Sequence, residues 1–176
     1  MPILSGEWGY ATHAKGGVSL ETQAAFIVRQ QLANLLNGIP LSIWYDWKND
    51  GSDPNEGEHN FGTVMPDLKP KPAYLAVQTL TRELSGYRIV RRHGGGSEQD
   101  YILVLANKAR ESKLAAWTLA EPHPVTFEIS GRHSGEIPVV SGAGQQARVT
   151  IQGDRVSLNL ISVPQYAALG RRSLVP

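Results

Sequence analysis

The texture of the chain changes at Gly86, and that change limits what it can fold into more than any other feature. Before Gly86, short apolar runs alternate with segments of helical periodicity. After it come only brief β-type runs separated by turn residues. A strand–helix–strand–helix order points to an α/β unit, and a series of short strands points to an antiparallel module.

The first half reads as follows. Residues 2–11 form a short buried strand ending in Gly6-Glu7, and THAKGGVSL, residues 12–20, is a loop. ETQAAFIVRQQLANLLN, residues 21–37, repeats apolar positions Ala24, Ile27, Val28, Leu32 and Leu35 at helical spacing. Ser19 suits its N-cap, Glu21 its first turn, and Gly38 the residue just past its end. PLSIWYDW, residues 40–47, is rich in β-branched and aromatic residues and reads as a second buried strand. A polar loop follows from 48 to 69, long enough to suggest a functional role. Lys71-Pro72 opens a second helix to about residue 85, with an inner stripe of Tyr74, Val77, Leu80, Thr81 and Leu84.

Beyond Gly86, YRIVRR, DYILVLANK, KLAAWTLA, HPVTFEIS, EIPVVSG, ARVTIQ and RVSLNLI have the spacing of an antiparallel sandwich. The expected fold class is α/β plus all-β: a βαβα unit over 1–86 and an antiparallel β-sandwich over 87–176.

Composition narrows the function. A net charge of +1 favours neither nucleic acid nor an anionic membrane as partner. There is no cysteine, which removes disulfides, thiolate metal sites and a cysteine nucleophile. No apolar run approaches the roughly 18 residues of a membrane-spanning helix, and no basic segment followed by an apolar core marks a signal peptide. No serine lies in a G-x-S-x-G turn. His13, His59, Asp46 and Glu58 lack metal-ligand spacing, so neither metal nor organic cofactor is implied.

In α/β architectures functional residues lie at the carboxyl ends of parallel strands. Glu7 ends the first strand, and Trp44, Tyr45, Asp46 and Trp47 end the second. A carboxylate beside aromatic rings suits a carbohydrate, whose ring has an apolar C–H face and a polar rim. Tyr10 lies within reach of Glu7 in sequence, and the long loop adds His59, Glu56 and Glu58.

GEWGY, ETQA with its helix, PLSIWYDW, EHNFGTV and KPAY together resemble the end of a retaining (β/α)8 glycoside hydrolase. The likeness is to the large clan of cellulase-like and β-xylosidase-like enzymes. The tail ending in VPQY, residues 163–166, is similar to the small sandwich that often follows these barrels. The resemblance implies the last two βα units of a barrel, with Glu7 as nucleophile and Trp44 as a platform for the sugar. Trp47, Tyr10 and His59 are the further candidates for substrate binding. The acid/base glutamate of that clan sits in an Asn-Glu pair at the end of the fourth strand. Here the only such pair, Asn55-Glu56, lies in a polar loop, so the acid/base is absent or comes from a loop or another copy. Two strands alone leave open edges, so association of copies into a homo-oligomer, or membership of a longer chain, is the expected remedy. The expected function is cleavage of β-glycosidic bonds with retention. The alternative is a non-catalytic carbohydrate-binding or oligomerising remnant.

Overall fold

The structure, a computed structural model, describes residues 3–175. The chain divides into two compact units, Met1–Leu80 and Thr81–Pro176. Among the described residues it contains one parallel sheet, two antiparallel sheets and two α-helices.

In the first unit a strand β1 (Ser5–Trp8) leads through α1 (Leu20–Leu36) to β2 (Ser42–Trp44), which pairs with β1 in parallel. The helix begins and ends on its sequence signals. The Ser19 hydroxyl oxygen accepts from the Thr22 N–H at 3.1 Å, satisfying a donor that the first turn leaves free. Gly38, at φ +69°, lets the chain leave the helix in a left-handed conformation. Ala24, Ile27, Val28 and Leu32 are buried as their spacing requires, whereas Leu35 is 49% exposed.

Three expectations need correction. Neither β1 nor β2 is a buried strand: β1 is largely exposed, and Ile43 at the centre of β2 is 48% exposed. The reason is that each of these strands has only the other as sheet partner among the described residues. The second helix, α2 (Pro72–Leu84), starts at the expected proline, but its buried residues are Ala73, Ala76, Thr79 and Leu80, while Tyr74 is exposed. Two stripes fit the same helical period, and the one with small residues allows the closer approach.

The second unit holds two antiparallel sheets around one apolar core. Six strands, β3 (Tyr87–Arg92), β4 (Asp100–Asn107), β5 (Ser112–Thr118), β7 (Glu136–Val140), β8 (Gln146–Thr150) and β10 (Gln165–Gly170), are ordered β3-β4-β5-β10-β7-β8. The pair β6 (His123–His133) and β9 (Gly153–Leu160) forms the other sheet. Strand alternation aims Phe127 and Ile129 of β6, with Val156, Leu158 and Leu160 of β9, at Ile102, Leu114, Ile137 and Ala167 of the larger sheet. The strand β10 has no counterpart among the runs read from sequence.

An ion pair within this unit joins Asp100, at the start of β4, to His123, at the start of β6, at 3.2 Å. The Glu121 carbonyl and then the Asp100 carboxylate hold the His123 proton above its ordinary range. Burial by itself would raise the Asp100 carboxyl. Hydrogen bonds from Thr118, Ser97 and His123 outweigh it and bring it to about 2. The folded state therefore binds the His123 proton more tightly than the unfolded state does. That contribution is complete below the unfolded value of about 6.5 and is lost as pH rises through the raised folded one. The thermal midpoint should accordingly exceed that of His123→Gln by more near pH 5.5 than near pH 8.5. Equal differences at the two pH values, measured by circular dichroism, would exclude the pair as a pH-dependent contributor.

Candidate functional site

Register and alternation decide which side chains meet at the ends of the parallel strands. Glu7 is paired with Ile43, and Trp8 with Trp44. The Ser42 hydroxyl oxygen accepts from Gln30 Nε2 at 3.2 Å and from Asn34 Nδ2 at 2.8 Å, both on α1. Ser42 and Trp44, two residues apart on one strand, therefore face the helix. The Trp44 ring lies 6.3 Å from that of Tyr10, which packs in turn 4.5 Å from Phe26 of α1. Trp8 and Tyr10, with Phe26, Arg29 and Gln30, line a groove of about 380 Å³ on this helix side. Glu7 and Ile43 occupy the opposite face, where Glu7 is exposed.

Tyr45 follows β2 and continues the alternation, so its side chain returns to the Glu7 face. Its N–H donates to the Trp8 carbonyl at 2.8 Å, extending the ladder past the strand ends. Its own carbonyl presses on Gly9, where any Cβ would collide with it. The Tyr45–Asp46 peptide is cis. The Tyr45 ring meets Phe61 edge-on at 5.4 Å, and its hydroxyl lies 3.5 Å from Asp50 Oδ2. Burial raises the pKa of that hydroxyl, and the negative charges of Asp50, Asp46, Glu58 and Glu7 raise it further. Burial, and after it Asp50, likewise pushes the Asp46 carboxyl up, against the pull of the Lys71 ammonium and a backbone hydrogen bond from Lys48.

The loop that carries these carboxylates is fixed by buried polar side chains. Lys71 is only 3% exposed, and its Nζ donates to Asn49 Oδ1 at 2.7 Å, Thr12 Oγ1 at 3.1 Å and the Asn60 carbonyl at 3.2 Å. Asn60 Nδ2 donates to the carbonyls of Asp53 and Glu56 at 2.8 and 2.7 Å. Gln23, fully buried on α1, donates through Nε2 to the carbonyls of Tyr10 at 2.8 Å and Phe61 at 3.0 Å. Both strand-end segments are thereby tied to the loop and the helix.

Of the residues singled out from sequence, Glu7 stands on the open face and Trp47 is 62% exposed. Trp44 and Tyr10 sit on the helix side. His59 belongs to a short 3-10 turn (Glu58–Asn60), with its ring against Gly51. Among the described residues, no three histidine, aspartate or glutamate side chains gather as a metal site. The sequence places Tyr45 in the cluster at the end of the second strand without a role of its own, and gives no site role to Asp50, Gln23 or Lys71. Alternation counted from Ile43 was the available signal for Tyr45. Nothing local marked Lys71, whose partners lie 11 to 59 residues away.

No family model and no curated protein matches the chain. Solved structures do. A family 39 glycoside hydrolase from the gut symbiont Bacteroides cellulosilyticus superposes with a TM-score of 0.81 at 24% identity, over 96% of this chain and 34% of its own. The catalytic domain of the GH30 xylanase C from Talaromyces cellulolyticus gives 0.63 at 9% identity, over 100% of this chain and 41% of its own. A GH51 arabinofuranosidase from Xanthomonas axonopodis pv. citri gives 0.57 at 10%, over 95% and 41%. The fold is glycoside-hydrolase-like. The chain spans between a third and about two fifths of the length of these structures.

Desolvation lowers the Lys71 pKa to about 8, with Asp46 opposing the shift. The unfolded chain, with an ordinary lysine near 10.5, thus binds more protons between about pH 8 and 10.5. Over that window the wild type should gain stability relative to Lys71→Met, which carries no titrating group at the position. Urea unfolding at a series of pH values tests this, and a constant difference would contradict it. At pH 7 the substitution should itself destabilise the first unit by about 1–3 kcal/mol, because Asn49 and the Asn60 carbonyl lose a buried donor.

Proposed function

We propose that this chain is part of a retaining glycoside hydrolase acting on β-glycosidic bonds. In this reading β1-α1-β2-α2 corresponds to the last two βα units of a (β/α)8 barrel, and the two-sheet unit is its accompanying sandwich. The observation that carries it is the placement of Glu7. It lies at the carboxyl ends of a parallel pair, exposed on the open face, in a fold like that of glycoside hydrolases.

A Glu7 carboxylate oxygen attacks the anomeric carbon as the bond to the leaving oxygen breaks, giving a covalent glycosyl-enzyme that water then hydrolyses. Retention requires a second carboxyl group about 5–5.5 Å from the first to protonate the leaving oxygen. Further barrel strands from a longer chain, or another copy, supply that group and cover the exposed Ile3, Leu4 and Ile43. Exposed Trp47 offers an apolar face to the glycan, and His59 stands farther along the same loop.

The test avoids the need for an acid. A dinitrophenyl β-glycoside has a leaving group that departs without protonation. The purified chain should therefore release dinitrophenolate, and Glu7→Gln should not. Intact-mass analysis should show one glycosyl unit retained on the wild type, on a peptide containing Glu7. Mass in solution, recorded alongside, distinguishes a single copy from an assembly. Glycan binding with no release, and indifference to Glu7→Gln, would replace the hydrolase reading with that of a binding remnant.

A further inference from the structure

We propose that the glycine-rich loop between β3 and β4 in the second unit holds an oxyanion, inorganic phosphate or the carboxylate of a uronic acid, with the His93 ring as its central donor. The inference concerns the two-sheet unit alone and stands apart from the reading of the Glu7 face.

Arg92, His93, Gly94, Ser97, Glu98 and Asp100 border an open cavity of about 510 Å³. His93 is only 9% exposed, and its ring meets Phe127 edge-on at 6.2 Å. Its Nδ1 lies 3.1 Å from Nη1 of Arg91. A guanidinium nitrogen can only donate, so Nδ1 accepts, and the proton of the neutral ring sits on Nε2. Burial, and after it the Arg91 charge, lowers the His93 pKa and keeps the ring neutral. Nε2 has no hydrogen-bond partner among the described residues. Gly95 leaves open the space beside it, where a Cβ would come within 2.5 Å of Nε2. The result is a buried side chain with an unspent donor at the wall of a cavity, which calls for an acceptor from outside the chain.

The other groups at the cavity decide the sign of that acceptor. The Gly94 N–H donates to no group among the described residues. Ser97 Oγ accepts from the Gln99 N–H at 3.3 Å, which leaves the hydroxyl proton to be donated. Arg92 Nη2 donates to the carbonyls of Glu98 at 2.9 Å and Asp100 at 2.7 Å, and the guanidinium lies 3.9 Å from the centre of the Tyr101 ring. So held, it keeps its charge and its remaining N–H groups for a ligand. Asp100 Oδ2 accepts from the Ser97 N–H at 2.7 Å and faces His123 Nε2 at 3.2 Å, so its charge is met within the protein. The exposed Glu98 carboxylate is the group that opposes an anion. Donors thus outnumber acceptors here, and a ligand with acceptor oxygens and negative charge is the complement.

Histidine nitrogen resonances of the isotope-labelled chain, followed near pH 7.5 during titration, separate the outcomes. The probes are inorganic phosphate, glucuronate and, as a neutral control, xylose. His93 should show the Nε2–H tautomer, and its resonances should move saturably with an anion and not with xylose. Tighter binding of phosphate assigns the free anion, and tighter binding of glucuronate assigns an acidic sugar. His93→Phe, which keeps a ring against Phe127, should weaken binding about tenfold by loss of the central donor. Exposed Glu98→Gln leaves the fold intact and should tighten it about twofold by removing the opposing charge. Should His93→Phe fail to show a thermal unfolding transition, Ser97→Ala on the exposed loop replaces it, with about threefold weakening expected. A folded wild type whose His93 resonances ignore both anions would overturn the proposal. So would equal response to xylose, or binding that Glu98→Gln weakens.

Discussion

A single ammonium group inside the first unit holds the strand-end loops in place. Lys71 is buried, and burying a charge is unfavourable unless hydrogen bonds replace the lost water. Its three oxygen acceptors come from three places in the sequence: Thr12 just past β1, Asn49 just past β2, and Asn60 in the 3-10 turn. The loop of residues 45–71 has almost no regular structure to define its path. Lys71 defines it, with Asn60 bracing the turn from within and Gln23 fastening it to α1. Asp46, Asp50, Glu58 and His59 all stand on the segment so held. The electrostatic character of the Glu7 face is therefore set by a residue that does not itself reach that face.

The same unit combines a well-fastened interior with an unfinished surface. α1 buries its apolar stripe and is capped at both ends, yet the two strands it connects leave Ile43, Leu41 and Trp8 about half exposed. An apolar strand face in water is the signature of a surface that belongs against something else. The solved structures that share this fold extend well beyond the part matched here.

What was legible in the sequence was local. Ser19 and Gly38 announce α1 through capping chemistry that involves neighbours a few residues away. Pro72 does the same for α2. The alternation in HPVTFEIS and RVSLNLI identifies β6 and β9 and even their inward faces. What was not legible depended on distant partners. The apolar composition of PLSIWYDW suggested burial, but burial requires a covering element that no local pattern reveals. The two rings of Trp44 and Tyr45 are adjacent in sequence and equally aromatic; only the hydrogen bonds from Gln30 and Asn34 to Ser42 show which of them faces the helix. QYAALG carries too little β-branched or alternating character to read as a strand. It becomes one because β5 and β7 accept it between them.

That last placement has a consequence for how the second unit is made. β10 is the last of the described strands in chain order, yet it lies in the middle of the six-stranded sheet, with β3-β4-β5 on one side and β7-β8 on the other. Emerging from the ribosome, the hairpins can form in turn, but they remain two separate ribbons with unpaired inner edges. The sheet closes only when residues 165–170 arrive to bridge them. Completion of this unit therefore waits on residues 165–170, and without them the sheet would lose its seam and not merely its rim.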